Sequence, residues 1–169
     1  MFWTSLTFLL SEAPYSYSTT QIGLTGFVGL AGALAARRAG RLHDRGWSVG
    51  ATGAGLLLGI ISLVIAGISN GSIYLLMLAV LLIDIAIQGI NVLNSTQLFT
   101  IAPEARSRLN SAFVVSCFLG GSVGSMLAGI LWQAGGWYLV TVGELALMVI
   151  ALIFWLFNRS VLAVKQQKI

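Results

Sequence analysis

The sequence predicts an all-α membrane protein, a bundle of helices threaded through lipid. Charge placement is the first observation. Of fourteen Asp, Glu, Lys and Arg side chains in 169 residues, eleven fall in three short clusters. These are Arg37, Arg38, Arg41, Asp44 and Arg45; then Glu104, Arg106 and Arg108; then Arg159, Lys165 and Lys168. From Gly46 to Pro103 the sole charge is Asp84, and from Leu109 to Asn158 it is Glu144. A charge at a bilayer centre costs about 3 kcal/mol or more, so the empty intervals suit lipid and the clusters mark water. Composition is the second observation: 57% of residues are hydrophobic and 8% charged, far from the balance of a soluble domain. The third is that several apolar runs are long enough to span a membrane.

A spanning helix needs about 20 residues to cross roughly 30 Å of hydrocarbon. Helices are expected near 21–41, 47–68, 73–101, 109–132 and 137–157. In lipid the backbone must satisfy its own hydrogen bonds, and these runs are too long and too evenly apolar for barrel strands. Turn chemistry separates them. Ser69-Asn70-Gly71-Ser72 and Ala134-Gly135-Gly136 read as compact turns. Pro103 disfavours helical geometry at Ala102 and closes the 73–101 segment. Trp47, Trp132, Trp137 and Tyr138 fall at segment ends, where amphipathic rings favour the interface.

The start of the chain, residues 1–11, reads as part of a further helix rather than a signal peptide. It has no basic start, and Ser11-Glu12-Ala13-Pro14 is not a small-residue cleavage site. Ten residues give about 15 Å of helix, half a bilayer, so the expectation is a truncated helix whose natural chain continues upstream. The unit 1–158 is expected as one transmembrane helical half-domain, with 159–169 as a basic cytoplasmic tail. All nine Lys and Arg lie in the three clusters, and the loops between carry none. The positive-inside rule therefore puts every cluster, and the C-terminus, on the cytoplasmic side of a plasma membrane.

The calculated pI of about 9.7 does not indicate nucleic acid, because the basic residues belong to loops beside oily helices. A lone cysteine, Cys117, excludes an internal disulfide and a cysteine-cluster metal site. His43, the one histidine, lies in a charged loop and reads as solvated. There is no HExxH, phosphate loop or nucleophile elbow, so no enzyme, cofactor or metal is expected.

Asp84 is the most informative residue. At about 100° per residue, Asp84, Gln88, Asn91 and Ser95 fall within roughly 60° of one another. Such a polar stripe on an apolar helix should face a water-filled cavity or a partner. Two readings stay open: a substrate- or proton-binding wall, or a buried hydrogen-bond network that holds helices together. Asn94 and Gln97 lie on adjacent faces. Glu144 has only Thr141 as a polar neighbour at helical spacing, and a glutamate that is neutral or reaches the interface is as well supported as a functional one. Small residues at four-residue spacing, as in Ala51-Gly55-Gly59 and Gly120-Gly124-Ala128, let helices approach closely.

Gly40-Arg41-Leu42-His43-Asp44-Arg45-Gly46 resembles the cytoplasmic signature loop of the major facilitator superfamily. Phe2-Trp3-Thr4 with Phe8-Leu9-Leu10, Gly23-Leu24 leading to Gly29 and Gly32, and Asp84 with Gln88-Gly89 are similar to the second half of its drug/sugar-efflux members. So are Glu104-Ala105-Arg106-Ser107-Arg108-Leu109-Asn110 and Phe118-Leu119-Gly120-Gly121. One departure stands out: Gly46 follows Arg45 directly, where the family has another residue and then further basic ones. The resemblance implies the second six-helix half of a transporter, its first helix truncated. It implies alternating access around a midplane site, with a small solute and protons as ligands and an N-terminal six-helix half as partner. Gly40, Arg41, Asp44, Arg45 and Gly46 would form a cytoplasmic gate. Asp84, Gln88, Asn91 and Ser95, with Trp3 and Thr7, would line the cavity, and Asp84 would couple proton entry to solute exit. The rival expectation is a non-transporting membrane protein that serves as an assembly or regulatory partner.

Overall fold

A computed structural model describes residues 1–29, 32, 39–42, 45–69, 71–101 and 103–166. Every element among them is helical. The order is α1 (Phe2–Ser11), α2 (Thr19–Thr25) running into a 3-10 turn (Gly26–Gly29), α3 (Ser48–Gly67), α4 (Ile73–Ile101), a 3-10 turn (Pro103–Ala105) and α5 (Arg106–Gln166). Among the described residues, α3, α4 and α5 are long and apolar enough to cross a membrane.

α5 has 61 residues, about 90 Å of helix at 1.5 Å per residue, far more than one crossing uses. It is broken at the glycine turn. Gly136 has φ 60° and ψ −149°, a region closed to side chains with a Cβ. Beyond the break the arms 106–134 and 137–166 fold back on each other. Leu131 Cδ1, four residues before the turn, lies 2.7 Å from where a Cβ on Gly143, seven residues after it, would stand.

Two segments differ from the expected ones. In place of one helix near 21–41, α2 begins at Thr19 and passes into the 3-10 turn. Its start is set by a capping box: Gln21 N–H donates to Ser18 Oγ and Ser18 N–H to Gln21 Oε1, 3.4 and 2.8 Å. Helical geometry is described again at Gly32 and 39–42. At the other end, α5 continues to Gln166 rather than releasing a tail at 159. Residues 159–166 contain neither Gly nor Pro, so nothing in the chain stops the helix.

The core forms where α1, α3 and α4 meet. Phe2, Leu6 and Leu10 of α1 pack with Leu63 and Ala66 of α3 and with Leu76, Ala79, Val80 and Ile83 of α4. Directional contacts fix α3 between its neighbours. Ser62 Oγ donates to Ala79 O of α4 at 2.7 Å. From α5, Trp137 Nε1 donates to Ala66 O and Trp155 Nε1 to Val49 O, both at 3.0 Å. The small-residue row on α3 works as close-approach surface. A Cβ on Gly55 would stand 2.8 Å from Ile90 Cγ1 of α4, and one on Gly59 2.8 Å from Met148 Cε of α5. The 106–134 arm differs. Val115, Phe118, Leu119, Val123, Met126 and Ile130 are all exposed, an apolar face that needs lipid or another protein against it.

Candidate functional site

α4 carries Asp84 near its middle, and the structure buries it: the residue is 8% exposed. What covers it is glycine backbone. A Cβ on Gly29 would stand 3.5 Å from Asp84 Oδ2, and one on Gly32 would collide with that oxygen and lie 2.9 Å from Gln88 Cγ. At these two positions the backbone can approach Asp84 because neither carries a side chain. Oδ2 has no hydrogen-bond partner among the described residues. That oxygen is thus clamped but unsatisfied, a costly arrangement for a polar group and one sensitive to any opening of the seam.

The rest of the stripe is less enclosed. Gln88 meets the same segment at its base but is exposed, as is Asn91. Ser95 is half-buried and donates to Val92 O at 3.1 Å, within its own helix. The four residues share a face of α4, with the carboxylate end covered and the Asn91 end open.

Trp3 and Thr7 occupy another face of α1 from Phe2, Leu6 and Leu10. Trp3 is 41% exposed and stands edge-on to Phe2 with ring centroids 6.4 Å apart. Thr7 is exposed and donates to Trp3 O at 3.0 Å. One residue away, Thr4 Oγ1 and Ser125 Oγ lie 3.2 Å apart, tying α1 to the 106–134 arm. Phe2 and Ile83, the chain neighbours of Trp3 and Asp84, line one cavity, whereas Trp3 and Asp84 point elsewhere.

Of the expected gate loop, Gly40, Arg41, Arg45 and Gly46 are described; Asp44, with His43, lies outside the described residues. Arg41 and Arg45 are exposed. Gly46 has φ 74°, and Trp47 N–H donates to Leu42 O at 2.9 Å. That six-to-one bond around a left-handed glycine is a Schellman closure. A glycine directly after Arg45 is therefore what ends the preceding helix.

The structure also singles out Glu144, which sequence reasoning left undecided. It is 7% exposed, and among the described residues neither Oε has a hydrogen-bond partner. Thr141, its one polar neighbour, donates instead to Trp137 O and Tyr138 O. Glu144 borders a cavity of about 270 Å³ with Phe2, Leu63, Ile83, Ile87 and Met148. The general rule that intramembrane carboxylates are functional was the available signal; the lack of a polar stripe obscured it. Among the described residues, no three His, Cys, Asp or Glu side chains come together as a metal set.

No family profile and no solved structure matches the chain. It is similar to curated proteins named as transporters. Over 153 residues, 90% of this chain, it is 38% identical to the YgaY proteins of Escherichia coli strains K12 and O157:H7, both named uncharacterized transporters. Over 136 residues, 80% of this chain, it is 33% identical to SCO4007 of Streptomyces coelicolor, named a probable transporter. The chain spans 39% of the length of the YgaY proteins and 31% of SCO4007; what it shares with them is a membrane-helical region of proteins named for transport.

Proposed function

We propose that the chain forms the second helical half of a major-facilitator-type secondary transporter, working with an N-terminal six-helix half to expel a small solute against proton entry. The observation that carries this reading is Asp84. It sits mid-helix and buried, its Oδ2 unsatisfied, under a seam of two glycines, in a chain 38% identical to transporter-named proteins. Alternating access needs helices that slide or part around a midplane site. A glycine seam over a carboxylate suits this: closed, it strips Asp84 Oδ2 of donors; open, it admits water. Proton uptake and release at Asp84 would follow the seam. Gln88, Asn91 and Ser95 would continue the wall toward the cytoplasm, with Trp3 and Thr7 as the share of the wall that α1 contributes.

The test joins the chain to the N-terminal region of a YgaY relative and measures solute efflux driven by a pH gradient in vesicles. Asp84→Asn should lower gradient-driven flux at least tenfold while the protein still inserts. Unchanged flux removes Asp84 from the mechanism.

The arginine clusters support an orientation in a bacterial plasma membrane with the C-terminus inside. In a Cys117→Ala background, a membrane-impermeant thiol reagent added outside should label Gln133→Cys and spare Ser107→Cys, both exposed positions. The reverse pattern inverts the topology.

The second reading, a non-transporting assembly or regulatory partner, draws on the apolar face of the 106–134 arm. That face would meet the N-terminal half in the first reading and another membrane protein in the second. Flux from the joined protein favours the first; its absence, with stable capture of a different membrane partner, favours the second.

A further inference from the structure

A groove of about 990 Å³ opens between the start of α3 and the end of α5. Its floor is small and apolar, with Gly50, Ala51 and Ala54 of α3. One wall is the Trp155 indole, which is held in place. A Cβ on Gly53 would stand 2.5 Å from the ring, so the missing side chain lets the indole lie against the α3 backbone. Trp155 Nε1 then donates to Val49 O at 3.0 Å. Leu42 and Trp47 also line it, with Trp47 exposed. At the rim, one turn beyond Trp155, the Arg159 guanidinium lies 5.9 Å from the indole centroid, at cation–π distance. Among the described residues the lining holds no carboxylate.

This groove lies where the apolar helices meet their basic ends. Arg41 and Arg45 precede α3, and Arg159 follows the apolar run of α5. Tryptophan and arginine at that depth are the side chains that favour the headgroup boundary. The groove therefore offers one positive charge above an apolar slot at the membrane surface. Basic pockets between transmembrane helices on the cytoplasmic side take anionic headgroups.

From this arrangement we infer that the groove binds an anionic phospholipid, its phosphate at Arg159 and an acyl chain along Gly50, Ala51 and Ala54 beside Trp155. Charge complementarity selects an anion, and the apolar floor selects a lipid over a free phosphate. Arg159 lines the groove at cation–π distance from the indole, and among the described lining residues no carboxylate competes for it. The inference rests on the membrane reading and is independent of transport.

Native mass spectrometry of the purified full chain in detergent tests it, with phosphatidylglycerol and phosphatidylcholine of identical chains as probes. Phosphatidylglycerol adducts should exceed phosphatidylcholine adducts at least fivefold. Arg159→Ala should bring the two to parity, while Arg106→Ala leaves the preference intact. Ala54→Phe, which fills the floor but keeps the charge, should also cut phosphatidylglycerol adducts at least threefold. Equal adducts on the unaltered protein overturn the inference, as does a preference that survives Arg159→Ala. Glycerol phosphate displacing the lipid at equal concentration overturns the lipid in favour of a phosphate site. Dimer formation that excludes phosphatidylglycerol overturns it in favour of a second copy.

Discussion

Gly32→Ala will destabilise the bundle, and most of the loss will vanish when Asp84 is also replaced by Ala. Two effects of opposite sign meet at this position. Alanine is the better helix former by about 1 kcal/mol, so propensity alone predicts a gain. Against this, a Cβ at Gly32 collides with Asp84 Oδ2 and stands 2.9 Å from Gln88 Cγ. Relieving such an overlap means moving two helices or forcing side chains off their rotamers, at about 1–3 kcal/mol. Asp84 has little room to give, being buried under the same segment. The overlap should therefore win, for a net loss of about 1–2 kcal/mol. Gly29→Ala is the control, because its Cβ would stand 3.5 Å from Oδ2, an ordinary contact, and should be neutral. Thermal unfolding in detergent reads all of these. In a double-mutant cycle Gly32→Ala and Asp84→Ala should couple by at least about 1 kcal/mol. Additive effects would show that the seam is not closed on the carboxylate. In the joined transporter, Gly32→Ala should also slow flux, since a propped seam cannot seat Asp84.

That seam marks the boundary of what the chain discloses as a linear text. The oily intervals, the breaks at Pro103 and Gly135–Gly136, and the polar face of α4 follow from local chemistry. Charge is costly in lipid, proline and glycine interrupt helices, and residues three or four apart share a face. What covers that face depends on contacts between distant segments. Nothing near Asp84 in sequence says that Gly29 and Gly32, more than fifty positions away, lie over it. The same limit applied to Glu144. With only Thr141 beside it, local spacing could not separate an interface residue from a buried one, because the walls of its cavity come from α1, α3 and α4. Gly46 went the other way. As part of a signature loop it is a departure in spacing, whereas the Schellman bond from Trp47 N–H to Leu42 O gives it a local reason. The Ser18–Gln21 capping box was legible in principle, since a serine three residues before a glutamine is a known start signal, and it places the α2 start two residues before Gln21.

Glu144→Leu should stabilise the bundle, by about 1–3 kcal/mol. The carboxyl group is 7% exposed, and neither oxygen has a hydrogen-bond partner among the described residues. A buried polar group without a partner costs about 1–3 kcal/mol, and more if charged. Leucine is close in volume and matches the apolar side chains around it, Phe2, Leu63, Ile83, Ile87 and Met148, so the exchange removes the penalty without opening a void. Glu144→Gln keeps the shape and the polarity; it should recover less than leucine. Glu144→Ala separates polarity from packing, since it also removes the penalty but leaves a hole beside a cavity already about 270 Å³ in size. The expected order of unfolding temperature is Leu, then Gln, then the native Glu, with Ala no higher than Gln. If Glu144→Leu instead lowers stability, the carboxylate gains from a donor or cation: the Met1 ammonium that borders the same cavity, a trapped water, or a basic group of a partner helix. If leucine raises stability while abolishing flux in the joined transporter, the unsatisfied carboxylate is retained at the expense of stability, as expected where a polar group in lipid serves function. Stability and flux measured on the same variant therefore decide whether Glu144 is a tolerated defect of packing or a working part of the site.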